Sequence, residues 1–169
     1  NRIFDKIRNL GKKYNLTYSG MHALDILRLE KKFLHWGHDI TSGNNPFEAG
    51  LSFAVNFKKN QNFIGREALE KIKEKPTKNK LALFSLKNVS KPGKPLLLHD
   101  EPVYIDDKII GYTTSSNYSF CYEKNIFLAY IKNEIQDLEN YSVEVEGKRY
   151  PLQLEKNPLH DPKSELMRS

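Results

Sequence analysis

The sequence predicts an α+β fold, in which an N-terminal helical segment is followed by a small antiparallel β-barrel. Two observations predict it. Apolar residues recur at helical spacing from Ile3 to Leu34, and from Lys80 onward short apolar runs alternate with turn formers. Hydrophobic residues make up 38% of the chain and charged residues 28%, which is enough apolar surface to close a core.

The first element is read from Ile3, Phe4, Ile7, Leu10 and Tyr14, which share one helical face and predict that this face is buried. Gly11 reads as a blemish inside that helix, costing roughly 1 kcal/mol against Ala. Asn15 to Gly20 is a connection ending in the breakers Ser19 and Gly20. A second helix is expected from Met21 to about Lys32, with Ala23, Leu24, Leu27 and Phe33 or Leu34 on its apolar side. Arg28 and Glu30 lie within that apolar stretch. Buried charges persist only when paired, so each is expected to meet a partner.

Phe33 to Phe47 is the least periodic stretch and holds His35, Trp36, Gly37, His38 and Asp39. Aperiodic loops of this length inside a domain are often functional. Two histidines at i and i+3 share a face only on a helix, and Gly37 disfavours one, so a metal site is not predicted. The bland expectation is a loop whose imidazoles cap backbone groups while Trp36 plugs a core. Ser52 to Phe57 alternates as a strand, and a helix is expected from Gly65 to Glu74, stopped by Pro76.

The barrel is read as seven strands: Leu81–Leu86, Pro102–Ile105, Lys108–Thr114, Asn117–Tyr122, Ile126–Ile131, Ser142–Glu146 and Lys148–Glu155. Asp106-Asp107 and Glu146-Gly147 predict tight hairpin turns. The hydroxyl-rich run from Gly111 to Ser119 reads as strand, turn, strand, with hydroxyls satisfying turn amides. It contains no Gly-x-Ser-x-Gly elbow, so a serine nucleophile is not expected. The polar tail after Pro158 is expected to lie across another surface.

Several function classes are excluded or weakened. A single cysteine, Cys121, forbids an internal disulfide; beside Phe120 and Tyr122 it is expected to pack in a core or at an edge. No apolar run is long enough to cross a membrane as a helix, so no membrane partner is expected. Neither Gly-x-Gly-x-x-Gly nor Gly-x-x-x-x-Gly-Lys occurs. The net charge of +6 admits an anionic partner, and a non-catalytic basic barrel holding RNA or protein is the alternative reading. The lysines are interleaved with acids, as in Glu67 to Lys75, so nucleic acid is disfavoured as a partner. A chain opening at Asn1, without Met and already inside an amphipathic pattern, is expected to be a piece of a longer protein.

Five motifs in order carry a resemblance. Gly20-Met21-His22-Ala23-Leu24-Asp25-Ile26-Leu27-Arg28-Leu29-Glu30 resembles a Gly followed by Ala-Arg-Asp-x-Leu-Arg-Leu-Glu. Phe33 to Ile40 resembles Leu-Tyr-Gly-x-Asp-Ile. Pro46 to Leu51 resembles Pro-x-Glu-Ala-Gly-Leu. Phe63 to Leu69 matches Phe-Ile-Gly-Arg-Glu-Ala-Leu. Gly111 to Ser116 resembles Gly-x-Val-Thr-Ser-Gly. The set is similar to the C-terminal part of the glycine-cleavage T-protein, or aminomethyltransferase, family. The loop from His35 to Ile40 and the tail from Asp161 to Arg168 most resemble the folate domains of dimethylglycine and sarcosine dehydrogenases.

The resemblance implies residues 1–58 as the remnant of a folate-binding domain and 59–169 as the C-terminal barrel. It implies tetrahydrofolate as cofactor of the parent protein, a one-carbon donor as partner, and FAD in an upstream domain. It implies a cytoplasmic or mitochondrial-matrix location. The family's folate-contacting Arg falls at Leu24, which offers no charged fork. The aromatic near the pterin falls at Phe33, with Trp36 as its neighbour; these two are the candidate cofactor-binding residues. The family's Cys-containing variant motif meets Phe63 here. The catalytic carboxylate is implied to lie outside these residues, so no catalytic residue is assigned, and the chain alone is expected to be inactive.

Overall fold

A computed structural model describes residues 2–59, 61–89, 91–134 and 140–169. Among the described residues three helices precede the sheet: α1 (Arg2–Gly11), α2 (Met21–Glu30) and α3 (Arg66–Lys73), with 3-10 turns at Lys12–Tyr14 and Ser52–Ala54. Six strands follow among the described residues: β1 (Asn79–Leu86), β2 (Pro102–Ile105), β3 (Lys108–Ser119), β4 (Lys124–Lys132), β5 (Tyr141–Val145) and β6 (Lys148–Glu155). They close into an antiparallel barrel in the order β1-β4-β3-β2-β5-β6, with β6 pairing back onto β1. Closure leaves no free edge along the ring.

The alternation of side chains along each strand divides the core in two. Inward-facing Ala82, Phe84, Val103, Ile110, Phe127, Ala129, Ile131, Tyr141, Val143, Val145 and Leu152 fill the barrel. At its centre Phe84 stacks on Phe127 with ring centroids 5.6 Å apart and meets Tyr141 edge-on at 5.3 Å. Outward-facing Leu81, Leu83, Ile126, Leu128 and Tyr130 form a second layer under α2, where Leu29 is fully buried and Ile26, Leu34 and Leu159 pack around it. β1 and β4 are therefore covered on both faces. Leu81 N also reaches outside the sheet and donates to Glu48 O at 2.9 Å, tying the loop after α2 to the barrel.

The hairpins at Asp106-Asp107 and Glu146-Gly147 form as expected, with Ile105 opposite Lys108 and Val145 opposite Lys148. Asp106, Glu146 and Gly147 take the positive φ that such turns demand.

Six readings are corrected. The run Gly111–Ser119 is no turn: it lies within one continuous strand, β3, so the barrel has six strands rather than seven. Pairing with β4 satisfies its backbone, and tertiary pairing overrides the turn propensity of its hydroxyl residues. Ser52–Phe57 is not a strand: Ser52–Ala54 is a 3-10 turn, closed locally by Ala54 N to Leu51 O and Val55 N to Ser52 O, and among the described residues no strand pairs with it. In α1 the helix forms, but Ile3, Phe4, Ile7 and Leu10 are exposed, because α1 packs mainly on its own following turn. Periodicity specifies a helix without supplying the surface that would cover its face. Gly11 sits at the helix end, where a Cβ would run into the Leu16 side chain at 2.5 Å, so it serves a close packing contact.

On α2 the buried side is not Leu24 and Leu27, which are exposed, but Ile26, Leu29 and Glu30. Cys121 and Phe120 are also exposed, in the turn between β3 and β4, rather than packed.

Candidate functional site

The junction between α2, the loop after it and the outer face of β3 concentrates the buried charge. The α2 side presents Arg28 and Glu30; β3 presents Thr114, Ser115 and Ser119. Asp39 stands between them, 1% exposed. Arg28 Nη1 is paired with Asp39 Oδ2, and Arg28 Nη2 donates to Ser115 Oγ at 2.8 Å. Thr114 Oγ1 donates to Asp39 Oδ1 at 2.6 Å, and the His35 amide donates to Asp39 Oδ2 at 2.9 Å. Ser119 Oγ donates to Glu30 Oε1 at 2.6 Å. Arg28 and Glu30 thus each find a partner, as the burial argument requires, and neither is the other's.

A β-bulge makes the arrangement accessible to β3. Neighbouring side chains on a strand face opposite ways, yet Thr114 and Ser115 both reach the Arg28–Asp39 pair. Opposite β4 the register runs Thr113 to Ala129 and then Ser115 to Leu128, leaving Thr114 as the extra residue. The extra residue turns two successive hydroxyls to one side.

Beyond the pair lies an open cleft of about 290 Å³, lined in part by His22, Asp25, Arg28, His35, His38 and His99. Four of the chain's five histidines meet there. The His35 and His38 rings lie 4.6 Å apart, and His35 Nδ1 is 4.0 Å from Asp25 Oδ1. Among the described residues no three His, Cys, Asp or Glu side chains are grouped to hold a metal ion. Beneath the junction the Tyr130 phenol is buried and pushed up to about 12, first by burial and then by the neighbouring Tyr112, Glu48 and Asp39.

The second cavity lies on the other side of the loop and measures about 630 Å³. Phe33, Leu34, Ile40, Leu51, Phe53 and Pro158 form its apolar wall, with Lys31 and Lys32 beside them. Phe33 is 49% exposed and lies on this wall, not in a core. Trp36 is 67% exposed, is bridged to Ile40, and lines neither cavity. The two candidate cofactor-binding residues are therefore not brought together, and Trp36 does not plug a core. The capping expected of the imidazoles is done instead by the Asp39 carboxylate. Asp39, Thr114 and Ser115 went unassigned in the sequence because the loop has no period and the hydroxyl run imitates a turn.

The tail after Pro158 docks on the end of α2. His160 N donates to Glu30 O at 3.0 Å, and Lys31 Nζ donates to Asp161 O at 2.6 Å, Asp161 Oδ2 at 3.1 Å and Ser164 Oγ at 3.2 Å. Burial alone would raise the Asp161 pKa. Hydrogen bonds from Lys31 and from the amides of Leu166 and Glu165 outweigh it and hold the group below its ordinary value of 3.8. A depressed carboxyl contributes stability above its unfolded pKa and loses it as pH falls through the folded value. The docked tail is therefore expected to hold throughout the neutral range and to release only below pH 3.8. Lys31→Met should release it at neutral pH: proteolysis within Asp161–Ser169 accelerates while the melting temperature of the barrel hardly moves. Equal cleavage rates in variant and parent would refute the tie.

Comparison with known proteins places this architecture. Residues 1–59 match the model of the GCVT N-terminal domain, and residues 80–161 match that of the glycine cleavage T-protein C-terminal barrel domain. Mitochondrial dimethylglycine dehydrogenase of Rattus norvegicus is 34% identical over 160 residues, 93% of this chain and 18% of that protein. Aminomethyltransferase of Prochlorococcus marinus (strain NATL1A) is 36% identical over 148 residues, 86% of this chain and 38% of that protein. The crystal structure of aminomethyltransferase T of the glycine cleavage system from Bartonella henselae superposes with a TM-score of 0.77 at 22% identity. The match covers 92% of this chain and 44% of that one, and it speaks for the fold. The chain thus spans less than two fifths of the length of these curated relatives. With both of the family's domain models matched in order and the barrel closed as in its solved member, the chain belongs to the glycine-cleavage T-protein family.

Proposed function

We propose that this chain serves tetrahydrofolate-dependent transfer of a one-carbon unit, aminomethyl or methylene, as the C-terminal part of the folate portion of a dimethylglycine- or sarcosine-dehydrogenase-like protein. The observation that carries the reading is the convergence of three family-like motifs on one buried pair. Arg28 comes from the first motif, Asp39 from the second, and Thr114 and Ser115 from the last. The similarity to dimethylglycine dehydrogenase over 93% of the chain supports the dehydrogenase branch. Leu24 supports it too, since its exposed aliphatic side chain cannot form the charged contact of a stand-alone T-protein. In this reading residues 1–58 belong to the folate-binding domain, residues 59–169 to the barrel, and the protein works in the cytoplasm or the mitochondrial matrix.

The chain's own residues fit a bound folate only in part. Phe33 offers an aromatic face on an apolar wall, but the residues lining that cavity include no carboxylate or amide to pair a pterin's hydrogen-bonding edge. No dinucleotide loop fits a flavin. The role assigned to the chain is therefore scaffolding. The Arg28–Asp39 junction fixes α2 and the Phe33 wall against the barrel, and preorganisation of this kind is what proximity catalysis requires.

Calorimetric titration with tetrahydrofolate tests the reading, comparing the protein in its full natural length with the 169-residue chain. Saturable binding is expected for the former, and weak or no binding for the latter. Micromolar binding by the 169-residue chain would move the site into it. Absence of binding by the full-length protein would sink the proposal.

A further inference from the structure

Two adjacent lysines at the end of α2 meet opposite fates. Lys31 Nζ is held by Asp161 and Ser164. Lys32 is half-buried at the wall of the 630 Å³ cavity, and no carboxylate lines that cavity. Its position follows from the helix end. Lys32 N donates to Leu29 O at 2.9 Å and Phe33 N to Arg28 O at 2.7 Å, closing the helix with Lys32 in the left-handed region, φ 56°. Such closures normally use Gly or Asn. Here the left-handed residue carries a long amine to the cavity beside Phe33, Leu34 and Leu51.

Burial pushes the Lys32 amine down from its ordinary value, and no neighbouring charge counters the shift. Burial that disfavours the charged form makes an amine a readier nucleophile and a poorer anion-binding cation. The Lys31 ammonium beside it, tied to the tail, is not available for the same role.

We propose that Lys32 Nζ is a carbonyl-capturing amine, forming an imine with an aldehyde whose apolar body fills the cavity beside Phe33. The nitrogen lone pair attacks the carbonyl carbon. The C=O π pair moves to oxygen, which takes up a proton, while nitrogen gives one up. Loss of water from the carbinolamine then leaves the C=N bond. The condensation is redox-neutral and releases one water for each imine. The proposal rests on the cavity and on Lys32 and does not depend on the folate reading.

The test is reductive trapping of the 169-residue chain with benzaldehyde and cyanoborohydride at pH 7, read by peptide mass spectrometry after cleavage at acidic residues. A lowered pKa raises an amine's neutral fraction and the cavity retains the aldehyde beside it, so Lys32 is expected to label faster than any other lysine of the chain, including the more exposed ones. Lys32→Asn, whose residue type tolerates the left-handed backbone, should abolish that fast label without shifting it to Lys31. Leu51→Trp keeps the amine but fills the cavity, and should suppress the label as well. Circular dichroism of each variant accompanies the labelling. Labelling that merely follows solvent exposure, or fast labelling that survives Leu51→Trp in a folded chain, overturns the proposal.

Discussion

Asp39→Ala is expected to lower the unfolding free energy by about 3–5 kcal/mol, the cost of breaking a buried ion pair from one side. The Asp39 side chain has no exposure and that of Arg28 only 12%. Removal of the carboxylate strands three donors together: Arg28 Nη1, Thr114 Oγ1 and the His35 amide. The guanidinium keeps the Ser115 hydroxyl and, among the described carboxylates, Asp25, with Oδ1 3.6 Å from Arg28 Nε. Asp39→Asn separates charge from hydrogen bonding. Its amide oxygen can still accept from Thr114 or His35, so it should cost less than Ala while still leaving Arg28 undercompensated. The double replacement Arg28→Met with Asp39→Leu should recover most of the loss, since apolar substitutes for a buried pair are often neutral. Urea unfolding of the series at constant m-value checks this. A loss below about 1 kcal/mol for Asp39→Ala would place the pair among surface bridges and remove the keystone role.

The importance of Asp39 was the part of the site hardest to read from the sequence. Arg28 and Glu30 announced themselves as charges in an apolar helix, and the rule that buried charges need partners was enough to predict that each would have one. Nothing in the sequence said which partners. Asp39 lies in an aperiodic loop, and Thr114 and Ser115 lie in a run whose composition imitates a turn. Their convergence depends on a β-bulge that exists only once β3 and β4 are in register. The strands were legible because alternation and turn chemistry are local. The covered face of α2 was not. Leu24 and Leu27 look as apolar as Leu29, and only the position of β4 decides that Leu29 is the one buried. The same limit applies to α1, whose apolar face was legible and whose covering was not.

Gly111→Ala is expected to be as damaging as the loss of Asp39, for a reason that has nothing to do with charge. Gly111 lies opposite Val103 on one side and Ile131 on the other, where β3 is gripped between β2 and β4. A Cβ there would stand 1.8 Å from Tyr130 O, 2.8 Å from Tyr130 C and 2.9 Å from Ile131 Cα. All three are backbone atoms, so no rotamer change relieves the clash. The strands must separate, and with them the ladder that closes the barrel. Replacing a strand glycine ordinarily gains about 0.5–1 kcal/mol from backbone entropy. Overpacking costs about 1–3 kcal/mol even where side chains can yield, so a rigid backbone contact should cost at least the upper end. Gly147→Ala is the control. Gly147 has φ 72° and nothing within 4 Å of its Cβ position, so its cost is conformational only, about 1–2 kcal/mol. Thermal melts of the two variants should therefore differ clearly, with Gly111→Ala melting far lower or failing to give soluble protein. If Gly111→Ala melts within a few degrees of the parent, β3 and β4 are not as tightly apposed as the barrel geometry requires.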